Sequence, residues 1–325
     1  MILILSNKWD LTVDFVVSEL RSRGGDFLRI NTEDLASGQA TVHLPDFQIL
    51  VSKHKKICDL THTVNVVWNR RPGRPFDNAS PSAKPSLAIQ RFVNDQWFSW
   101  LETLQLLSGV TWINHPQAND AMECKPRQLL LASQIGFQVP DTVISNDPGE
   151  VRLLARKHRD RLVAKALYSP LIEEPDEDFF VFTNEINITD LSSEEDIRIS
   201  PSIFQQSLRP KVDYRVTVVG ETVLPVEVQD QGGEEYSHID WRTKKTGLNF
   251  SACNLPPGIE EKCKNYVRVS GLIFGAIDLV RHDDKFFFLE INPNGEWGWL
   301  QHPHGIPIAK ALCDLMLTYD KSGKH

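Results

Sequence analysis

The chain has 325 residues, of which 41% are hydrophobic and 24% charged, and its formal net charge is -8. The length allows two or three subdomains, and the composition is that of an ordinary globular protein. The negative charge argues against a general nucleic-acid or membrane binder. The five cysteines show no CxxC spacing, no apolar run approaches 18 residues, and the N-terminus turns polar too early for a signal peptide, so we expect a cytoplasmic protein.

The beginning of the chain predicts a small α/β domain. Residues 1 to 5 are a continuous apolar run, which is typical of a buried parallel strand. Asp10 or Thr12 can cap a following helix, which ends at the glycines 24 and 25 before a second strand at 27 to 30.

Between residues 89 and 104, apolar side chains recur at helical spacing, and we predict that most of this stripe lies in the core. A segment from Trp112 to Pro116 closes the first domain, which we end at residue 118.

Two lysines stand out in the next part of the chain. Lys125 begins a predicted helix that ends at Gly136, and Lys165 interrupts an apolar strand at 162 to 167. A lysine in such a strand costs desolvation energy unless it meets an anion, so both are candidates for nucleotide phosphates. The alternative is that each side chain extends along the surface to place its ammonium group in water.

The segment that follows is rich in acidic residues. We interpret residues 171 to 198 as a mobile lid with a solvated charged face. Residues 201 to 208 lead to a hinge, and 211 to 228 predict two strands of a hairpin. Residues 229 to 249 contain little apolar content and have the character of an active-site loop.

A second predicted hairpin carries the candidate metal ligands. Two apolar stretches, Phe274 to Val280 and Phe286 to Ile291, are interrupted only by Asp278 and Glu290. Symmetric pairing about the turn places these two carboxylates opposite each other, with Asn292 on the same face. Carboxylate and amide oxygens are ligands that magnesium prefers. The alternative is that the acids are strand-end charges that reach solvent.

The hairpin and the residues after it resemble a known superfamily. Asp278, a hairpin, and then Glu290-Ile-Asn292-Pro-Asn resemble the metal motif of the ATP-grasp ligases. The longer segment LEINPNGEWGWLQ is similar to the ATP-grasp maturases of ribosomally made peptides, which are the graspetide (microviridin-type and grasp-with-spasm) macrocyclases. Segments like Trp68 to Pro72 and Trp112 to Asn114 also occur in these maturases, so the resemblance spans most of the chain.

The resemblance implies a fold and a domain organisation. We expect an α/β (α+β) ATP-grasp fold with an N-terminal pre-ATP-grasp α/β domain at 1–118. A central ATP-grasp subdomain with the lid would occupy 119–200, and a C-terminal subdomain with the metal site 201–325.

The resemblance also implies roles for site residues. Asp278, Glu290 and Asn292 would hold Mg2+, and Lys125 and Lys165 would reach the α- and β-phosphates of ATP.

The hinge and its neighbours would hold the rest of the nucleotide. Gln206, Ser207 and Leu208 fall where backbone groups bind adenine, although an acid is more usual at position 206. Asp213 matches the residue near the ribose. Two Asp-x-Arg segments supply arginines that can hold a carboxylate or a phosphate. We predict that Arg215 orients the substrate carboxylate and that Arg242 contacts ATP phosphates. The alternative for such a segment is a surface ion pair. No glycine-rich phosphate loop follows Lys165.

The implied reaction is the ATP-dependent activation of Glu or Asp side chains in a precursor peptide. Ser/Thr hydroxyls or Lys amines of that peptide would then form macrocyclic esters or amides. The expected partners are a precursor with a leader and an acidic, hydroxyl-rich core, and a second copy of the chain in a homodimer. Two alternatives stay open: a ligase for free amino acids or protein C-terminal glutamylation, and a nucleotide-binding regulatory module without catalysis.

Overall fold

A computed structural model describes residues 1–53, 56–77, 79–168, 171–173, 178–186, 194–230, 241 and 247–322. The chain divides into two compact units. Unit 1 comprises Met1–Ala118, Gly271–Phe274 and Glu296–His325, and unit 2 comprises Asn119–Ser270 and Gly275–Gly295. The division of residues 119–325 into a central and a C-terminal subdomain stays a prediction.

The strands of the described residues are β1 (Ile2–Ser6), β2 (Phe27–Asn31), β3 (Gln39–His43), β4 (Gln48–Lys53), β5 (Lys56–Asp59), β6 (Val66–Asn69), β7 (Thr111–Ile113), β8 (Thr142–Ser145), β9 (Leu162–Lys165), β10 (Leu171–Glu173), β11 (Asp178–Phe180), β12 (Asn184–Ile186), β13 (Ser202–Gln206), β14 (Val212–Val219), β15 (Thr222–Asp230), β16 (Leu248–Ala252), β17 (Phe274–His282) and β18 (Lys285–Asn292).

The α-helices of the described residues are α1 (Leu11–Ser22), α2 (Leu60–Thr63), α3 (Leu87–Glu102), α4 (Pro116–Glu123), α5 (Lys125–Ile135), α6 (Pro148–Lys157), α7 (Glu194–Ile199), α8 (Pro257–Val269), α9 (Gly298–Gln301) and α10 (Ile308–Ser322). None of the helices in this part of the chain is long and apolar enough to cross a membrane.

Unit 1 is built on the parallel sheet β2-β1-β6-β7, with a second, antiparallel sheet β3-β4-β5. Every residue of β1 is buried, as its apolar sequence predicts. The carboxylate of Asp10 accepts a hydrogen bond from the Thr12 amide and so caps α1, which ends before Gly24 in a left-handed conformation. The predicted β-α-β opening is therefore confirmed.

The apolar stripe of residues 89 to 104 lies mostly at the core of unit 1, as predicted. Trp97, Trp100 and Leu101 pack against that core and Leu104 belongs to it. The exceptions lie in the first half of α3, where Ile89 and Phe92 are 53% and 64% exposed. The periodicity identified the helix correctly, but a helical period shows which residues share a face and not whether anything covers that face.

The described residues of unit 2 form three sheets, with strand orders β12-β9-β13-β8, β10-β11 and β16-β15-β14-β17-β18. Antiparallel pairing joins the strands of the first sheet. Helix α6 lies against that sheet, and its residues Val151, Leu154 and Ala155 belong to a cluster of buried apolar side chains with Leu162 and Phe204. The mixture of helices and strands confirms the predicted α/β (α+β) class.

Candidate functional site

The hairpin of β17 and β18 places the predicted metal ligands in unit 2. Asp278 pairs with Glu290 in the antiparallel register, as the sequence predicted. The turn itself contains two residues, Asp283 and Asp284, both in the left-handed conformation. Leu279 pairs with Phe288 and Asp278 pairs with Glu290, so Leu289 is an extra, unpaired residue in β18. Without this bulge, the register set by the two-residue turn would place Leu289 opposite Asp278.

Asn292 ends β18 two residues after Glu290, so both side chains share one face of the strand. Its side-chain oxygen accepts a hydrogen bond of 3.0 Å from the Asn294 amide. The same turn brings the Gly295 amide to 3.2 Å from the Asn292 carbonyl. These two hydrogen bonds fix the position of Asn292 at the end of β18, where the chain enters the following turn.

Gln128 in α5 fixes the part of β18 that lies between the two ligands. Its side-chain oxygen accepts from the Ile291 amide, and its side-chain nitrogen donates to the Ile291 carbonyl, both at 3.0 Å. The side chain is buried and acts as a neighbouring strand would. The sequence did not predict this role of Gln128, because nothing in a helical sequence pattern indicates that a glutamine will form hydrogen bonds with the backbone of a distant strand.

A basic residue that the local sequence did not predict contacts Asp278. Arg215 on β14 donates from Nη1 to both carboxylate oxygens of Asp278, at 3.0 and 2.9 Å. The two residues are 7% and 8% exposed. Within the described residues, Nε of Arg215 is buried without a hydrogen-bond partner. The arginine therefore has a donor left over in a place where water is excluded.

Gly295 gives Arg215 the space that it needs. A Cβ atom at position 295 would lie 2.8 Å from Nη2 of Arg215 and 2.5 Å from the Cβ of Ala276. Both distances are shorter than real contacts of a Cβ atom allow. Since the Cβ of Ala276 is fixed to the backbone of β17, a side chain at 295 would have to displace a strand or the arginine.

Six of the predicted site residues line a cavity of about 520 Å³ in unit 2, and Arg215 is not among the residues that line it. The predicted members are Lys125, Lys165, Asp213, Asp278, Glu290 and Asn292. Others that the sequence did not nominate include Glu123, Tyr168, Phe180, Lys211 and Trp241. A smaller cavity of about 40 Å³ is lined by the hinge residues Gln206, Ser207 and Leu208, with Lys165 and Lys211. The structure thus brings lysines, carboxylates and the hinge together.

Three lysines contribute positive charge to the large cavity. Lys125 donates to the Ala166 carbonyl at 2.7 Å, and Lys165 donates to the side-chain oxygen of Gln205 at 2.8 Å. Lys211 lies 2.5 Å from Asp213, and both of these side chains are largely buried. Lys211 precedes Asp213 by two residues on the same strand face, so strand periodicity could have identified it.

The acidic side of the cavity affects the protonation of Glu123. Burial raises the pKa of Glu123, and the negative charges of Asp120 and Glu290 raise it further, while Lys125 lowers it. Repulsion between Glu123 and Glu290 indicates an excess of negative charge at this edge, which a cation would relieve. Within the described residues, no group of three or more His, Cys, Asp or Glu side chains has the arrangement of a metal site, so the donor set here is two carboxylates with an amide.

Arg242, the predicted phosphate-binding arginine, lies outside the described residues. Its neighbour Trp241 is described, and its ring packs edge-on at 5.8 Å from that of Phe250. The role of Arg242 stays a prediction.

In unit 1, the segment of Trp68 to Pro72 contacts the residue that follows the metal motif. Arg70 is 1% exposed and donates to Glu296 from Nη2 at 3.0 Å, and Nε of Arg70 lies 3.0 Å from Asp10. Arg71 donates to the same Glu296 at 2.5 Å. Two segments that carried the resemblance thus bind each other directly.

No protein-family model matches the chain, and no curated protein matches it. Solved structures do match over nearly the whole length. The macrocyclase MdnC from Microcystis aeruginosa MRC, bound with precursor peptide MdnA, is 25% identical with a TM-score of 0.84, covering 98% of this chain and 99% of that chain. A RiPP-associated ATP-grasp ligase of Chryseobacterium gregarium, in complex with ADP and a leader and core peptide, is 26% identical with a TM-score of 0.83, covering 98% and 96%.

A more distant structure shares only the fold. D-cycloserine synthetase DcsG is 14% identical with a TM-score of 0.56, over 97% of this chain and 99% of that chain. Together with the hairpin and the cavity, the first two likenesses confirm the resemblance identified from the sequence: this chain has the fold of the ATP-grasp ligases, and it is similar to the macrocyclases of ribosomally made peptides.

Proposed function

We propose that the chain is an ATP-dependent, ADP-forming ligase that closes macrocycles in a ribosomal precursor peptide. It activates Glu or Asp side chains and joins them to Ser/Thr hydroxyls or Lys amines. The observation that carries the proposal is the pairing of Asp278 with Glu290 at the wall of a cavity that lysines also line. MdnC with its bound precursor peptide, and the C. gregarium ligase with ADP and a leader and core peptide, support the choice of substrate.

The donor set fits magnesium. Asp278, Glu290 and Asn292 offer hard oxygen ligands, and two carboxylates with substrate phosphates are the usual environment of this ion. Arg215 is compatible with a metal at Asp278, because each carboxylate oxygen can accept more than one partner. When bound, Mg2+ would neutralise negative charge on the phosphates of ATP.

The lysines and the hinge would hold the nucleotide. Lys125 and Lys165 would contact its phosphates, and the backbone of Gln206 to Leu208 would bind adenine. Asp213 would lie near the ribose, and Arg242 would contact the phosphates. The two adjoining cavities are consistent with this division, because one contains the hinge and the other the lysines and carboxylates.

Arg215 would orient the substrate carboxylate. Its Nε is a buried donor without a partner among the described residues, and an anionic ligand would satisfy it. An oxygen of the substrate carboxylate would attack the γ-phosphorus in line, ADP would leave with the electron pair of the broken phosphorus–oxygen bond, and an acyl phosphate would form. The hydroxyl or amine would then attack the acyl carbon and lose one proton to the solvent or to the departing phosphate, which would leave with the electron pair of the carbon–oxygen bond. The peptide would lose the atoms of one water for each ring, and ADP and phosphate would be the other products.

Asp278→Asn and Glu290→Gln test the metal assignment. Each removes one negative charge and keeps the shape, so we expect ADP release with a candidate precursor to fall by about 10²-fold or more, the order seen when charge stabilisation at a reacting centre is lost. Mass spectrometry should show no loss of water from the peptide, and circular dichroism should show an unchanged fold. Full magnesium-dependent turnover in either variant would show that the metal assignment is wrong.

Chelation separates the metal from other effects of these substitutions. With excess EDTA the wild-type protein should stop releasing ADP, and added Mg2+ should restore turnover. Turnover that persists in EDTA would contradict a role for magnesium.

We also infer that two copies associate through the exposed face of α3. Ile89 and Phe92 lie about one turn apart on this helix and are each more than half exposed, and exposed apolar side chains that are neighbours commonly mark interfaces. Phe92→Glu should convert a dimer into a monomer in light scattering, while Arg91→Gln on the same helix, which changes the charge by the same amount, serves as the matched control. A wild-type protein that is monomeric at high concentration would exclude the dimer.

A further inference from the structure

Three polar side chains form a row across one face of the sheet β12-β9-β13-β8 in unit 2. Gln205 on β13 pairs with Thr142 on β8 and, on its other side, with Val163 on β9. Lys165 follows Val163 by two residues, so its side chain is on the same face as Gln205. The row therefore runs from Thr142 through Gln205 to the lysine that lines the large cavity.

The chemistry of these groups fixes the direction of each hydrogen bond. The Thr142 hydroxyl lies 2.7 Å from the Pro140 carbonyl, which can only accept, so the hydroxyl donates its hydrogen there. Its oxygen must then accept from Gln205, whose Nε2 lies 2.9 Å away. The amide of Gln205 consequently presents Oε1 to the ammonium group of Lys165, at 2.8 Å.

Burial makes this orientation the only satisfactory one. Gln205 is 2% exposed, so water cannot replace a lost partner. A flipped amide would turn its NH2 group toward the Lys165 ammonium, where two donors would face each other. The same flip would leave the Thr142 oxygen without a hydrogen from Gln205. The hydroxyl of Thr142 thus decides how the neighbouring amide of Gln205 is oriented toward Lys165.

We propose that Thr142 and Gln205 are positioning residues that set the Lys165 ammonium for the phosphates of the nucleotide. Gln205 does so as a neutral acceptor, which holds the ammonium group without adding the negative charge that a glutamate at this position would bring. This inference rests on the proposed function, and it adds Gln205, one residue before the predicted Gln206, to the residues that matter for ATP.

Thr142→Val tests the row, because valine matches the shape of threonine and lacks the hydroxyl. We expect the KM for ATP to rise about tenfold, which corresponds to about 1.4 kcal/mol. The KM for the precursor peptide should change little, while the melting temperature should fall somewhat because the buried amide nitrogen of Gln205 loses its acceptor. Thr142→Ser, which keeps the hydroxyl, should restore the KM for ATP to within about twofold of wild type. A general structural defect would instead raise the KM values of both substrates.

A double-mutant cycle shows whether the effect passes through the lysine. Lys165→Ala should raise the KM for ATP, and adding Thr142→Val to it should then cause no further change. Additive effects of the two substitutions would overturn the proposal. Gln205→Glu should also raise the KM for ATP, because its charge would pair with the ammonium group. A wild-type KM in that variant would contradict the role of the neutral amide.

The controls separate this inference from the function on which it rests. Binding of Mg-ATP to the wild-type protein is measured first, by the rise of its melting temperature with nucleotide. If the wild type does not bind Mg-ATP, the proposed function fails. If the wild type binds and Thr142→Val behaves identically, the proposed function stands and the positioning role of the row is wrong.

Discussion

Each unit contains a buried arginine that contacts an aspartate, and the two differ in how completely they are satisfied. In unit 1, Arg70 lies within 3.0 Å of Asp10 and donates to Thr12 at 3.1 Å and to Glu296 at 3.0 Å. In unit 2, Arg215 gives one nitrogen to both oxygens of Asp278. Its Nε has no partner among the described residues.

The difference indicates two kinds of role. Arg70 spreads its donors over three side chains, and one of them, Asp10, also caps α1. Burial lowers the pKa of Arg70, and the neighbouring charge of Arg71 lowers it further, while the carboxylates of Asp10 and Glu296 oppose both effects. Arg215 keeps a donor that nothing in the described structure uses. The contacts of Arg70 with several side chains favour a structural role, whereas Arg215 contacts Asp278, which lines the large cavity, and keeps a buried donor without a partner among the described residues.

The largest expected effect is on folding. Arg70→Ala would leave Asp10 and Glu296 without their buried partner, which should lower the free energy of unfolding by about 3–5 kcal/mol. Urea denaturation measures this change. The matched control is Arg71→Ala, because Arg71 contacts the same Glu296 but is 42% exposed, and it should cost about 1 kcal/mol or less. If both variants lost the same free energy of unfolding, the buried contacts of Arg70 would not contribute more to stability than the exposed contact of Arg71.

The second expected effect is on the reaction. Arg215→Ala should lower turnover by about 10²-fold or more at temperatures where the variant is fully folded, because the substrate carboxylate loses its orienting donor. Arg215→Lys should not restore turnover, since an ammonium group cannot reproduce the fork of the guanidinium. ADP release with precursor present measures both variants, and wild-type turnover in Arg215→Ala would exclude the predicted role.

A smaller effect should follow from filling the space beside Arg215. Gly295→Ala places a methyl group too close to Ala276 and to Nη2 of Arg215, and such overpacking costs about 1–3 kcal/mol. Turnover should fall about tenfold, which is the kinetic equivalent of about 1.4 kcal/mol. Gly258→Ala is the control, because nothing lies within 4 Å of the added carbon there. If both alanine variants retain wild-type turnover, the absence of a side chain at Gly295 is not needed to make room for Arg215.

The smallest effect should come from an arginine at the surface. Arg268 contacts Glu221 at 3.0 Å, but the two side chains are 60% and 75% exposed. Arg268→Ala should change the free energy of unfolding by less than about 1 kcal/mol and leave turnover unchanged. If Arg268→Ala lowered the free energy of unfolding as much as Arg70→Ala, burial of the arginine side chain would not explain the size of the effect.

Local patterns in the sequence were sufficient for the elements and for some of the site. Two apolar stretches, each interrupted by one acid and separated by a polar turn, identified the hairpin and the pairing of Asp278 with Glu290, because both strands and their turn are contiguous in the sequence. A helical period identified α3 but not the exposure of part of its apolar face. The predicted roles of Lys125, Lys165 and the hinge came from the resemblance, and the structure places them at the two cavities.

The sequence did not predict which side chains form hydrogen bonds with each other across the site. Arg215 and Asp278 are 63 residues apart, and Lys165 and Gln205 are 40 residues apart. Hydrogen bonds of this kind require atoms within about 3 Å, a precision that strand register and sheet order set together.

The sequence by itself determined which segments become strands and helices, where the two carboxylates meet, and which superfamily the chain resembles. Tertiary structure alone decided that Arg215 lies against Asp278, that Gln128 completes β18, and that Thr142 turns Gln205 toward Lys165. The physical reason is the distance along the chain over which each kind of interaction acts. Backbone propensity and periodicity act over a few residues, whereas the environment of a buried charge depends on strands brought together from distant parts of the chain.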